Sequence, residues 1–219
     1  MQKYLFKVFL YIFSYLIMYL LFVALFSYLT KIIFTSNNYN YFYVNNFFSK
    51  ILSGLIFTIP VYLFYKRYFK IAKLSFKRLF IYILGLLCFC LFVYIFTISF
   101  WNLKLNFGFD KWIQANSWLY LFRFLAAVFI APISEELIFR SISIEFLIEK
   151  GIKPILIILF TSLLFGLLHF PSGNDMITTF ILGLLLALVY FKERNILYCI
   201  ILHALYNLST FFTIWEPLN

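Results

Sequence analysis

The sequence predicts an all-α membrane protein, a helical bundle of about seven transmembrane helices. Of its 219 residues, 65% are hydrophobic and 24% are aromatic, and the mean hydropathy is +0.98. Because a soluble domain is nearer half apolar, this composition excludes an ordinary soluble fold. Apolar stretches of about 20 residues, the length that crosses a bilayer, recur between short polar segments. No polar segment is long enough for a second domain, so we expect one transmembrane domain over residues 1–219.

Loops and turns of polar residues separate the predicted spans. In chain order the spans are Val8–Leu29, Phe47–Tyr65, Leu79–Trp101, a helix from Trp118 to Lys150, Pro154–Phe170, Met176–Phe191 and Ile196–Trp215. Thr35–Asn46 and Asn102–Ser117 are predicted as loops, and Pro171–Asp175 and Lys192–Asn195 as turns. The first span is too long for a signal-peptide core, so we expect it to remain as an anchor.

The net charge of +10 lies mostly in short loops, which indicates membrane orientation and attraction to anionic lipid rather than nucleic-acid binding. With the N-terminus inside, thirteen lysines and arginines fall in inner segments and only four in outer loops. Those four are Lys31, Lys50, Lys104 and Lys111. The bias predicts a multi-pass protein of the cell membrane with a cytoplasmic N-terminus and an outside C-terminus.

Residues 66–78 separate the second span from the third and carry six of the basic residues. Lys66, Lys70, Lys73 and Lys77 recur at helical spacing with apolar residues between them. This pattern predicts a short amphipathic helix on the membrane surface, where anionic lipid would bind. An ordinary cytoplasmic loop is the alternative.

Two adjacent carboxylates interrupt the fourth span. Glu135 and Glu136 are two of only eight acidic residues, and a charge inside a bilayer helix costs roughly 2.5–3.5 kcal/mol. Arg140 follows Glu136 by four residues, the favourable order for an ion pair on one helix face. We therefore interpret Glu136 and Arg140 as a structural pair. Glu135 points about 100° away, has no evident local partner, and is interpreted as the working group. Pro132 predicts a kink just before the acids, because it removes the backbone bond to Val128.

The two histidines of the chain also lie in apolar spans. His203 and Asn207 are four residues apart and share a helix face, and Phe165 is expected to stack beside His169 in the same way. If the chain reverses near Gly151, Glu135 and His169 lie at nearly the same depth, about 24 Å from the turn, and can meet.

These polar residues fit hydrolysis by an activated water. A buried carboxylate can act as general base, and a histidine beside it can pass the proton to a leaving amine. His203 and Asn207 can donate hydrogen bonds to the oxyanion. We see no serine or cysteine in a recognisable nucleophile motif, and the three cysteines (Cys88, Cys90 and Cys199) are expected to pack in the apolar interior.

A zinc site is the alternative reading of the same cluster. Zn²⁺ accepts two histidines and a glutamate, so Glu135, His169 and His203 are the candidate ligands. The HExxH motif that usually carries such a site is absent from the sequence.

Three motifs in fixed order resemble a known family. Glu135-Glu136-x-x-x-Arg140, Phe165-x-x-x-His169 and His203-x-x-x-Asn207 are similar to the signature of the CAAX protease and bacteriocin-processing (CPBP, or Abi) intramembrane proteases. The resemblance covers about Phe122–Phe212, and Ser141 stands where a small glycine commonly follows the arginine.

This resemblance implies a catalytic core over residues 118–215, with family-variable helices over 1–117. It implies a water activated by Glu135 with His169, and oxyanion support from His203 and Asn207. Glu136, Arg140 and Phe165 would support the site. Members of the family have been described both as metalloproteases and as metal-free glutamate peptidases, so zinc is possible, although no cofactor is favoured.

We therefore predict an intramembrane endopeptidase that cleaves a membrane-associated peptide or a prenylated or lipidated protein. One alternative is a non-catalytic bacteriocin-immunity or scaffold protein of the same fold, which need not keep costly buried charges. The other is a proton or solute transporter, against which we find no internal repeat and no paired broken helices.

Overall fold

The computed structural model describes residues 1–34, 41–101, 103–107, 117–169, 176–211 and 213–217. The described residues form seven helices: α1 (Gln2–Phe34), α2 (Tyr41–Phe64), α3 (Phe76–Trp101), α4 (117–149), α5 (Pro154–His169), α6 (Met176–Glu193) and α7 (Ile196–Phe211). The predicted helical membrane bundle is confirmed. The predicted turn at residues 171–175 lies outside the described residues.

A small antiparallel sheet was not predicted. β1 (Leu103–Phe107) lies in the segment expected to be a loop, and β2 (Thr213–Pro217) follows α7. The two strands pair with Leu105 opposite Trp215. The last helix therefore ends at Phe211 rather than at Trp215, because the pairing with β1 satisfies the backbone of this segment in place of helical hydrogen bonds.

Four of the helices are long and apolar enough to cross a membrane. These segments are Gln2–Ile32, Val44–Phe64, Phe76–Phe96 and Met176–Glu193. α5 and α7 are apolar but have only 16 residues each. Only 11–17% of the apolar windows of α1, α2 and α3 is buried, so most of their large side chains face outward, as lipid-facing helices require.

The helix α4 alternates between α and π geometry. Ala126–Ile130 and Leu137–Ile144 are π-helical, and the α-helical turn Ala131–Glu136 between them holds both acids. The backbone stays in the right-handed helical region at every junction. Pro132 thus stands beside a π segment within a continuous helix, and π segments of this kind are frequent at functional sites.

The chain reverses after α4 at Gly151, as the sequence predicts. Gly151 has a φ of 69°, a left-handed conformation that glycine adopts without steric cost. The N–H of Ile152 donates to the carbonyl of Leu147, and that of Gly151 donates to Ile148. These two bonds form a Schellman cap, which ends α4 and sends α5 back along it.

The hairpin of α5 and α6 is closely packed because both helices carry glycine at the contact. A Cβ atom at Gly166 would lie 2.9 Å from the backbone oxygen of Met176. A Cβ atom at Gly183 would lie 3.2 Å from Cα of Ser162. Any larger side chain at these two positions would push the helices apart.

The predicted amphipathic helix over residues 66–78 is wrong. Lys66–Tyr68 forms one 3₁₀ turn, the chain is then irregular to Ser75, and α3 begins at Phe76. The backbone of this segment bonds to the start of α7 instead of to itself. Ile196 N–H donates to the Lys70 carbonyl, the Asn195 side chain donates to the Ala72 carbonyl, and Ser75 N–H donates to the Tyr198 hydroxyl.

One end of the bundle is formed by residues 65–78, 145–153 and 190–198 and is here called the basic end. Three carboxylates connect the ends of helices there. Each accepts hydrogen bonds from one arginine and one tyrosine: Glu145 from Arg194 and Tyr190, Glu149 from Arg67 and Tyr68, and Glu193 from Arg78 and Tyr82. The bonds from Tyr68 and Arg67 hold the pKa of Glu149 below its usual range.

Candidate active site

Glu135 is buried at the point where α4 faces α2, α5 and α7. Its Oε2 atom lies 3.5 Å from Nε2 of His169 and 3.9 Å from Nε2 of His203. The turn at Gly151 brings Glu135 and His169 to the same depth, which is the register that the sequence predicts. The structure therefore assembles one acid and both histidines of the chain around a single carboxylate oxygen.

The other ring nitrogen of each histidine is engaged by an acceptor. Nδ1 of His169 lies 2.7 Å from the Phe165 carbonyl, and Nδ1 of His203 lies 2.9 Å from Oε1 of Glu136. Each Nδ1 must therefore carry a proton, and in the neutral imidazole Nε2 is then a proton acceptor. Three acceptor atoms converge, two nitrogens and one carboxylate oxygen, an arrangement suited to sharing and moving a proton.

Glu136 and Arg140 form the ion pair that their spacing predicts. Arg140 Nε lies 3.0 Å from Glu136 Oε2, and the two side chains are only 1% and 0% exposed. Arg140 also donates through Nη2 to the Gly183 carbonyl of α6 at 3.3 Å. Glu136 has a second role that the sequence did not indicate, because its Oε1 fixes the ring of His203.

Phe165 is fully buried at the centre of these groups. Its ring centroid is 4.6 Å from that of His169 and 5.5 Å from that of His203. The Arg140 guanidinium lies over the same ring at 4.7 Å, a favourable cation–π distance. Phe165 therefore packs against both imidazoles and against Arg140, as a support of the site should. Ser141, the residue after the arginine, is also fully buried.

The sequence analysis missed Lys50. Its Nζ atom lies 2.9 Å from Oε1 of Glu135, so Glu135 has an ionic partner from α2, and Lys50 is a half-buried residue of a helix rather than part of an outer loop. One signal in the sequence points to this pair. The chain has no acidic residue before Asp110, so a lysine inside the second span can only be neutralised by an acid from the later half.

Asn207 contacts α4 about two turns before the acids. Its Nδ2 donates to the Ala127 carbonyl at 2.8 Å. In a π-helix each N–H donates to the carbonyl five residues earlier, as the N–H of Ala131 does to the carbonyl of Ala126. The carbonyl of Ala127 would therefore accept a hydrogen bond from residue 132. Pro132 has no N–H, and Asn207 supplies the missing donor. The structure thus gives Asn207 a backbone partner, and it leaves one amide hydrogen for another acceptor.

The candidate zinc ligands match the spacing of a tetrahedral site at one distance and exceed it at another. Bonds of about 2.1 Å at tetrahedral angles hold two ligating atoms about 3.4 Å apart, and Glu135 Oε2 lies 3.5 Å from His169 Nε2 but 3.9 Å from His203 Nε2. Lys50 already places a positive charge on Glu135. In the described part of the chain, no group of three or more His, Cys, Asp or Glu side chains suits a metal ion.

Residues 116–209 match a family model described as type II CAAX prenyl endopeptidase Rce1-like. The match covers α4 to α7 and all three motifs, and it leaves α1 to α3 outside. It confirms the resemblance to CAAX-type membrane proteases, and it supports membrane peptidase activity at the level of the family. No curated protein and no solved structure matches the chain.

Removal of the Glu136 carboxylate should destabilise the fold strongly. Glu136→Ala leaves the Arg140 charge buried without its partner, a change that costs roughly 3–5 kcal/mol in buried pairs. We expect a large drop in detergent-extracted yield and in the thermal unfolding midpoint. Glu149→Ala is the matched control, because its charged partner Arg67 is exposed, and it should lower both quantities much less than Glu136→Ala does. Equal midpoints for the two variants would contradict the structural role of Glu136.

Proposed function

We propose that this protein is an intramembrane endopeptidase that hydrolyses a peptide bond with a water activated by Glu135 and His169. The observation that carries the proposal is the convergence of Glu135 Oε2 with the Nε2 atoms of His169 and His203 inside a helical membrane bundle. The match of residues 116–209 to a family of prenyl endopeptidases supports the same reaction class.

In the proposed reaction the substrate water lies between Glu135 Oε2 and His169 Nε2. Glu135 accepts one water proton as the oxygen attacks the peptide carbonyl carbon, which forms a tetrahedral intermediate with a negative oxygen. The C–N bond then breaks, and the proton passes from Glu135 by way of His169 Nε2 to the nitrogen of the leaving amine. The products are a free carboxylate and a free amine, and no acyl-enzyme forms.

We propose His203 and Asn207 as the donors that stabilise the negative oxygen. His203 is held by Glu136, and when protonated at Nε2 it becomes a charged donor. Asn207 retains one amide hydrogen beyond the one given to Ala127. Oxyanion donors act mainly on the transition state, because negative charge develops only there.

The proposed substrate is a membrane-associated peptide or a prenylated or otherwise lipidated protein. The description of the matched family supports prenylated substrates, and the outward apolar surface of α1 to α3 supports a position in the membrane, where lipid-anchored chains are held. A scaffold or immunity role would not require three proton acceptors to converge. A transporter would give no cleavage at all, so the peptidase assay separates these functions.

Replacement of the Glu135 carboxylate should abolish cleavage without unfolding the protein. Glu135→Gln keeps size and hydrogen-bonding capacity but cannot accept the water proton, and general-base catalysis is typically worth about 10²–10⁴-fold in rate. The assay uses purified protein in lipid vesicles with a panel of membrane peptides, including a farnesylated CAAX peptide. Glu149→Gln is the control acid and should cleave at the wild-type rate. Wild-type turnover by Glu135→Gln would end the assignment of Glu135 as base.

The role of Asn207 can be separated from its backbone contact by a double-mutant cycle. As an oxyanion donor, Asn207 should contribute roughly 10²–10³-fold to kcat, so Asn207→Ala should lose that factor with little change in KM. Pro132→Ala restores an N–H near the Ala127 carbonyl. In the double variant Pro132→Ala with Asn207→Ala, this N–H replaces the backbone contact of Asn207, so only the catalytic contribution of Asn207 is missing. We expect its stability to recover while its kcat stays low. Recovery of kcat together with stability would show that Asn207 only satisfies the backbone.

We propose that the water is activated without a metal ion, because Lys50 supplies the positive charge at Glu135. Elemental analysis of active, purified protein should therefore show well under one zinc per chain, and dialysis against a chelator should leave the rate unchanged. Stoichiometric zinc, with activity lost on chelation and restored by zinc, would reverse this assignment and make Glu135, His169 and His203 the ligands.

We propose that the basic end faces the cytoplasm, with the C-terminus outside, from the bias of positive charge. The same bias favours anionic lipid at residues 66–78. Lys73 is exposed in the loop before α3, so Lys73→Cys should resist an impermeant thiol reagent in intact cells and react after permeabilisation. The unsubstituted protein, with its three native cysteines, is the background control. Labelling of Lys73→Cys in intact cells would show that the basic end faces outside, which is the opposite of the proposed topology.

A further inference from the structure

We propose that the α1–α2 hairpin completes the active site, with Lys50 as a positioning residue that holds Glu135 for its work as base. This inference rests on the proposed function. The hairpin lies wholly outside residues 116–209, so the segment that matches the protease family does not contain Lys50.

The contact between Lys50 and Glu135 fixes the direction of the carboxylate. Lys50 Nζ lies 2.9 Å from Oε1, and the opposite oxygen, Oε2, is the one that faces His169 and His203. Because a carboxylate is planar, an anchored Oε1 determines where Oε2 points. Without that anchor, either oxygen could turn to the imidazoles, and the water would have no fixed acceptor.

The packing of α2 against α4 places Lys50 at this contact. Gly54 follows Lys50 by one helical turn, and a Cβ atom there would lie 3.0 Å from Cβ of Ser134. Ser134 directly precedes Glu135. The missing side chain at Gly54 therefore lets α2 approach α4 at the level of the acid, within reach of the lysine stem.

Lys50 is itself held by α1. Its ammonium lies 5.6 Å from the ring centroid of Tyr19, and the Tyr19 hydroxyl donates to Asn46, one turn before Lys50 on α2. The buried Tyr15, one turn earlier on α1, donates to Ser134 Oγ at 3.5 Å. Two tyrosines of α1 thus connect α2 and α4 around the ion pair, which restrains the lysine as well as the acid.

The charges of the site balance only when Lys50 is counted. Glu135 and Glu136 carry two negative charges, and Arg140 compensates the second. Lys50 compensates the first. Loss of the ammonium would remove the hydrogen bond that holds Oε1, so the Glu135 carboxylate could rotate and neither oxygen would be fixed toward the water. The effect should therefore fall on turnover rather than on substrate binding.

The test measures kcat and KM of Lys50 variants on a quenched fluorogenic farnesylated CAAX peptide in phosphatidylcholine–phosphatidylglycerol vesicles. A misplacement of about 1 Å costs roughly 100-fold in rate, so Lys50→Met should lower kcat by that order and leave KM within about twofold. Lys50→Arg keeps the charge and should recover most of the loss. Lys31→Met, an exposed lysine on α1, is the matched control and should behave as wild type.

Chemical restoration keeps the test decisive if Lys50→Met folds poorly. Lys50→Cys, purified in folded form and treated with 2-bromoethylamine, gains an amine of lysine length and should recover at least tenfold in kcat. Treated wild type controls for the native cysteines. A Lys50→Met protein with wild-type or higher kcat, or no recovery in treated Lys50→Cys, would overturn the positioning role.

The same assay separates failure of this inference from failure of the proposed function. Cleavage by wild type that is lost in Glu135→Gln but kept in Lys50→Met leaves the peptidase intact and rejects Lys50. No cleavage by wild type of any peptide in the panel rejects the peptidase, and the role of Lys50 with it.

Discussion

The ion pair between Glu136 and Arg140 is the constraint on which the rest of the site depends. The interior of a membrane bundle offers no bulk water to a carboxylate, so Glu136 is tolerated only with a cation on the same helix face. With one oxygen held by Arg140, the other accepts a hydrogen bond from the Nδ1–H of His203 on α7, and Arg140 donates to the Gly183 carbonyl of α6. One pair thus fixes the rotation of α4 against two helices, and Glu135, one residue earlier, is turned toward α2 and α5.

The irregular geometry of α4 is part of the same arrangement. Each π segment changes the direction of the side chains that follow, and the acids lie between two of them. Pro132 leaves the Ala127 carbonyl without a backbone donor, and Asn207 bonds to it. α7 therefore binds α4 at two levels one turn apart, through Asn207 and His203. The motif residues of α7 therefore have structural partners in α4 as well as their proposed chemistry.

The sequence predicts the parts of this fold that depend on local pattern. Apolar length locates the helices, the spacing of four residues predicts the pair of Glu136 with Arg140, and the turn at Gly151 predicts the meeting of Glu135 with His169. The predictions fail where contacts between residues far apart in the sequence determine the local structure. Residues 66–78 have helical spacing, yet the start of α7 binds their backbone. The strands form only because β1 meets β2. Lys50 belongs to no recognised motif, and its partner Glu135 lies 85 residues further along the chain.

The distribution of charge along the chain explains why the first helices belong to the site. All eight acidic residues stand at or after Asp110, so the N-terminal half has no anion of its own. Its cations pair across the fold: Lys50 with Glu135 in the interior, and Arg67 with Glu149 and Arg78 with Glu193 at the basic end. The later half can neutralise Glu136 and Glu145 with its own arginines, whereas the lysine that pairs with Glu135 comes from α2. The base of the proposed peptidase therefore obtains its cationic partner from the α1–α2 hairpin, so these first helices contribute to the charge balance of the site as well as to the packing of the bundle.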